Sequence, residues 1–226
     1  MQIIEQRYEI NWMYNDREFT KQYIYNSIED AARTCYRSEG KKTDTSAGRM
    51  IKALIKGGHE AMLEHASLSV RFCTDRAITH ELVRHRLAAF AQESQRYVNY
   101  SDDKYGSEIQ YVSIDGLLKT DPKLADKEEY IPLILGEWID ACEDAERHYL
   151  KMIEFGASPQ IARSVLNNST RTEIVVTANM REWRHILKLR AAGTTGAPHP
   201  AMAALMKPLL AELKEVMPEL FEDIEG

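Results

Sequence analysis

Residues 67–86 read "SLSVRFCTDRAITHELVRHR". The first six positions alternate. Leu68, Val70 and Phe72 fall on one side and Ser67, Ser69 and Arg71 on the other, the period-two pattern of a half-buried strand. Asp75 then offers a carboxylate suited to capping a helix, and Ile78, Leu82 and Val83 follow. The stretch predicts a strand passing directly into a short helix that runs into Arg84-His85-Arg86.

Working outward, strands and helices do not alternate in a regular βα rhythm. Upstream, Ser27-Ile28-Glu29-Asp30 resembles a capping box and predicts a helix over 27–36, with Ala31, Ala32 and Cys35 as a small-residue face. A second helix is expected from Ser46 to Lys56, ending at Gly57-Gly58. Downstream, 101–129 reads as an Asp-, Lys- and Gly-rich excursion with a strand-like piece from Ile109 to Ile114. A long helix fills 132–155, with Trp138, Cys142, Ala145 and Tyr149 near one face and Gly156 closing it. Ser158-Pro159 starts a short helix, since proline is tolerated at the first helical position. The β-branched run "TEIVVTA", 172–178, predicts a strand, and Asn179 a cap for a helix from Met180 to about Ala191. A last helix over 200–217 contains Pro208, which predicts a kink. No repeat or linker divides the chain. The expectation is an α+β fold, a mixed β-sheet surrounded by helices, as a single domain over 1–226.

A net charge of −6 argues against sequence-independent binding of nucleic acid, which needs a broad basic surface. It leaves room for a local basic pocket. Cys35, Cys73 and Cys142 show no metal-binding spacing and read as reduced thiols of a cytoplasmic protein. The N-terminal residues lack a signal-peptide pattern, and no apolar run approaches the ~20 residues that span a bilayer. A soluble intracellular protein is expected, with no membrane partner.

Four clusters invite a chemical reading. In "VRHRLAAFAQESQRYVNY", 83–100, Arg84, His85, Arg86 and Arg96 surround a small apolar run. Guanidinium forks match phosphate, and Ser94 could complete an oxyanion cradle. Taken alone, Arg-His-Arg reads better as a solvated helix end. In "GGHEAMLEH", 57–65, the histidines lack the HExxH spacing of a zinc site, so no metal is expected. In "NMREWRHILKLR", 179–190, Trp183, Ile186 and Leu187 form an apolar stripe whose next member is Arg190. An arginine there needs an anion, supplied either by an internal carboxylate or by a ligand. Arg163, before a polar turn, signals nothing by itself. Phosphate loops, dinucleotide fingerprints and nucleophile elbows are missing from the sequence, and no cysteine sits in an evident nucleophile setting.

Read together, Arg84-His85-Arg86, seven residues and Ser94 resemble the RHRx7S signature of flavin-dependent thymidylate synthases. "GHEAMLEH", "IARSVL" and "TANMREWRHILKLR" follow the same family's order across about 27–206. The resemblance implies reductive methylation of dUMP to dTMP. Methylenetetrahydrofolate would give the carbon and NADPH-reduced FAD the hydride, without a cysteine nucleophile, in a homotetramer with each flavin at a subunit junction. It implies dUMP binding by Glu81, Arg84, Gln92, Glu93, Ser94, Gln95, Arg96, Arg163 and Arg190, with Arg190 as the catalytic arginine favouring ionisation at uracil N3. It implies FAD binding by His59, Glu64, Arg84, His85, Arg86, Gln92, Asn179, Arg181 and His185. The alternative is a non-catalytic nucleotide-binding relative.

Overall fold

A computed structural model of the chain describes residues 1–102 and 108–225. Its architecture is α+β, as the sequence predicts, with mixed sheets flanked by helices. Two compact units are assembled from interleaved stretches. The first comprises Met1–Arg7, Phe72–Leu82 and Ala91–Ile174, and the second Tyr8–Arg71, Val83–Phe90 and Val175–Gly226.

The strands are β1 (Gln2–Ile4), β2 (Arg7–Ile10), β3 (Ser67–Asp75), β4 (Ala89–Gln92), β5 (Gln110–Val112) and β6 (Arg171–Asn179). β1 and β5 form a parallel pair with Gln2 opposite Gln110 and Ile4 opposite Val112. The other sheet has the order β2-β3-β6-β4. Alternation decides which faces are buried. Leu68, Val70 and Phe72 of β3 are buried, as are Thr172, Ile174, Val176 and Ala178 of β6.

In the second unit, α1 (Arg17–Thr34) buries Thr20, Ile24, Ile28 and Ala32, one residue per turn. Its N-terminus is ten residues earlier than the sequence reading placed it. The Asp16 carboxylate accepts from the Phe19 amide (2.9 Å), while the Ser27 hydroxyl donates back to the Tyr23 carbonyl (2.8 Å) inside the helix. A serine that bonds back one turn is tolerated in a helix interior and caps nothing. α2 (Ser46–Lys56) ends as expected, with Gly58 in the left-handed region (φ 70°). The Ser46 hydroxyl donates to Glu29 (2.5 Å), which also pairs with Arg33, and so ties α2 to α1.

α3 (Arg76–Leu82) begins where expected, since Asp75 accepts from the Ile78 amide (2.7 Å). It stops at Leu82, so Arg84, His85 and Arg86 occupy a turn and not a continuing helix, and Val83 is exposed. Seven residues exhaust the stripe that α3 buries, and the chain then turns back toward β4.

In the first unit, α4 (Asp115–Thr120) follows β5, and the long α5 (Ile131–Glu154) packs Cys142 and Tyr149 against Tyr100, Ile109 and Tyr111. The expected excursion over 101–129 thus contains β5 and α4, and its residues 103–107 lie outside the described ones. α6 (Pro159–Ala162) leads to β6. Back in the second unit, α7 (Met180–Arg190) is capped by Asn179, which accepts from the Glu182 amide (2.8 Å). The Trp183 indole donates to the Leu68 carbonyl (2.9 Å) and so fastens α7 to β3. α8 (Pro200–Val216) carries Pro208 within it, and α9 (Pro218–Phe221) follows. Among the described residues no helix is long and apolar enough to cross a membrane.

Candidate functional site

The apolar side of α7 determines what its polar side presents. With Met180, Trp183, Ile186 and Leu187 buried, Arg181 and His185 are turned outward and Lys188 and Arg190 are half-buried. The turn after α3 presents Arg84 and Arg86 outward and buries His85. Together with Glu60, Glu64 and Glu182, these side chains line a cavity of about 860 Å³ in the second unit, at the upper end of the ~300–1,000 Å³ usual for small-molecule sites. Six cationic side chains (Arg84, Arg86, Arg181, Arg184, Lys188 and Arg190) face three carboxylates. The excess of positive charge on this lining would favour an anion.

Two of those cations are already committed to carboxylates. Arg181 pairs with Glu64 at 2.6 Å and lies 3.8 Å from Glu60. Arg184, only 1% exposed, holds both oxygens of Asp223 at 2.7 Å and donates to the Leu220 carbonyl. The guanidinium keeps the Asp223 carboxyl below the usual range, outweighing the opposing effect of burial. The sequence reading missed Arg184. The signal was there, since Met180, Trp183, Arg184 and Leu187 share one helical face.

Arg190 lies less deep than its stripe position predicts. It is half-buried on the last turn of α7, and its Nε donates to His85 Nε2 at 3.1 Å. His85 is 5% exposed, with His185 edge-on at 6.2 Å between ring centres and Glu182 Oε1 3.9 Å from Nδ1. Burial, then the Arg190 charge, then His185 push its pKa down to about 4. The imidazole is therefore neutral near pH 7. Because Nε2 accepts, the proton resides on Nδ1, on the Glu182 side. Burial raises the Glu182 carboxyl, partly offset by His185.

Of the residues expected at a flavin, Glu64, Arg84, His85, Arg86, Asn179, Arg181 and His185 line this one cavity, with the Asn179 side chain also serving as the α7 cap. His59 is outside the lining. It is exposed at the end of α2, where its amide donates to the Leu54 carbonyl (2.8 Å). Gln92 belongs to the first unit, and its amide donates to Thr79 (3.0 Å) and Thr172 (3.4 Å).

The remaining residues expected at the nucleotide, Arg84 and Arg190 apart, are in the first unit. Ser94 organises a turn: its hydroxyl accepts from the Arg96 amide (3.3 Å) and its carbonyl from the Tyr97 and Val98 amides (3.1 Å each). Arg96 is exposed, its guanidinium 5.5 Å from the centre of the Tyr97 ring. Gln95 is buried, and among the described residues its Nε2 has no hydrogen-bond partner. The Glu93 carboxylate is engaged by Arg171, which also grips Glu173, while burial raises the Glu93 pKa. The sequence reading did not include Arg171. Arg163 is half-buried just after α6, and Glu81 half-buried on α3.

The family model described as "Thymidylate synthase complementing protein" matches residues 22–219. A flavin-dependent thymidylate synthase of Mycobacterium avium (strain 104) is 36% identical over 214 residues, covering 88% of this chain and 78% of that protein. The chain belongs to the flavin-dependent thymidylate synthase family. A second family member, from Corynebacterium efficiens, is 34% identical over 210 residues, with 88% of this chain and 78% of the relative covered. A crystal structure of the UMP/dUMP methylase PolB from Streptomyces cacaoi bound with 5-Br dUMP superposes with a TM-score of 0.77. It covers 98% of this chain and 96% of that chain at 20% identity, and it supports the family's fold.

Proposed function

We propose that this chain methylates dUMP to dTMP, with a flavin bound in the second-unit cavity. The observation that carries the reading is the cationic excess of that cavity, combined with a neutral histidine and an arginine on the same wall. A flavin dinucleotide brings a pyrophosphate, and Arg84, Arg86 and Lys188 supply donors that fit it. Glu64 and Glu60 steady Arg181 at the rim, while Asn179 and His185 complete the cavity side. His59 and Gln92 are further flavin contacts by family resemblance. When bound, the flavin supplies the reducing electrons.

The protein's own residues do the rest. In the first unit, Ser94, Gln95, Arg96 and Arg163 are assigned to the nucleotide, the two arginines to its phosphate, with Glu81, Gln92 and Glu93 beside them. In the second, Arg84 and Arg190 serve dUMP. A fixed cation at the uracil edge favours charge developing at N3 and so enriches C5, the carbon to be methylated. NADPH as reductant, methylenetetrahydrofolate as carbon donor, a homotetramer and a cytoplasmic setting complete the proposal.

Purified protein should show flavin absorption that bleaches on anaerobic NADPH with dUMP present, and should form dTMP once methylenetetrahydrofolate is added. Protein that stays colourless after incubation with FAD yet binds dUMP would instead be a nucleotide-binding relative without the chemistry.

A further inference from the structure

His85 stands out because its ring is almost wholly buried while Arg84 and Arg86, on either side, are exposed. A side chain so enclosed offers little surface to a ligand. What it does contact is Arg190: Nε2 accepts from the guanidinium Nε at 3.1 Å. Behind it, Glu182 Oε1 lies 3.9 Å from Nδ1, and the Glu182 side chain is itself only 6% exposed. We infer that His85 is the positioning residue of Arg190, with Glu182 as its backing carboxylate.

This inference rests on the reading of Arg190 as the uracil arginine. A guanidinium is planar, so an acceptor on Nε fixes both the plane and the direction of the terminal two-nitrogen fork. Orientation of that kind is worth much in a site where the cation must meet charge that appears only during reaction. The histidine has to be neutral for this, because an imidazolium would turn a donor and a like charge toward the arginine. Burial and the cations around it keep the ring neutral. Glu182 determines which nitrogen is protonated: its carboxylate favours the proton on Nδ1, leaving the Nε2 lone pair for Arg190. Its location in the first turn of α7, at the positive end of the helix dipole, offsets part of the cost of burying that carboxylate.

The test compares His85→Leu with His85→Gln in flavin-loaded protein. A charge-assisted hydrogen bond lost without replacement should lower kcat/KM for dUMP on the order of tenfold or more. Because His85 also lines the flavin cavity, turnover of each variant is expressed per bound flavin. Glutamine can present an oxygen to Nε–H, so His85→Gln should recover to within about threefold of wild type. Wild-type turnover in the Leu variant would overturn the inference. So would a Gln variant as poor as Leu with flavin retained. Wild-type protein that forms no dTMP would refute the functional reading itself, which keeps the two failures apart. If the Leu variant does not fold, nitrogen-15 histidine spectra of the wild-type holoprotein decide. A proton on Nδ1 supports the inference, and a proton on Nε2 overturns it.

Discussion

Between pH 6.5 and about 4, the unfolded chain takes up a proton at His85 that the folded chain refuses, because burial, Arg190 and His185 all disfavour imidazolium there. The unfolded state binds more protons in that window, so stability must fall as pH falls through it. His85 contributes its full share above pH 6.5 and loses it progressively toward about 4. Urea midpoints measured at intervals from pH 7 to 4 should therefore decline less steeply in His85→Gln than in wild type, and equal slopes would mean that the ring is not held neutral. The same few residues show what can be read from sequence at this scale. Arg190 was legible as an arginine on an apolar stripe, but its depth was not. The helix ends at Arg190, and the arginine that goes fully inside is Arg184, drawn to Asp223. No spacing rule connects residue 184 to residue 223, and the pair exists only once the fold has brought α7 to the end of α9.

Helix ends divide into those determined locally and those determined from a distance. α2, α5, α6 and α7 begin or end within a residue or two of their expected places because glycine, proline or a capping side chain lies at the boundary itself. The start of α1 was misplaced because Ser27 imitates a cap, while the first turns, rich in Arg, Glu, Lys and Gln, show no clear apolar stripe until the helix is packed. β1 and β2 were not expected at all. Three- or four-residue strands have too few positions to show a period, and their partners are far along the chain. The contrast between a real cap and a false one is measurable. Asp75→Ala should cost about 1 kcal/mol by removing the Ile78 bond, lowering Tm by roughly 2–4 °C for a chain of this size. Ser27→Ala should stay within about 0.5 kcal/mol of wild type. A larger loss at Ser27 than at Asp75 would reverse the assignment of the two helix starts.

At the scale of the whole molecule, the proposed reaction assigns no role to the thiols. Cys73 and Cys142 are buried, Cys142 with its pKa raised by burial, and Cys35 is exposed at the end of α1. A thiol pushed up is a poor nucleophile. Replacing all three with alanine should leave turnover of correctly folded, flavin-loaded protein within about twofold of wild type, and loss of dTMP formation in such protein would demand a cysteine step. The topology also carries a consequence for biosynthesis. β1 closes its parallel ladder with a strand more than a hundred residues later, and β3 lies next to the equally distant β6. At about 5–20 residues per second, the first strand waits on the order of ten seconds after it is made before its partner leaves the ribosome. A nascent chain stalled before that point carries an unpaired strand edge that can join a neighbouring chain. The pace of translation and the chaperones at the exit tunnel should therefore govern how much of this protein reaches its native state.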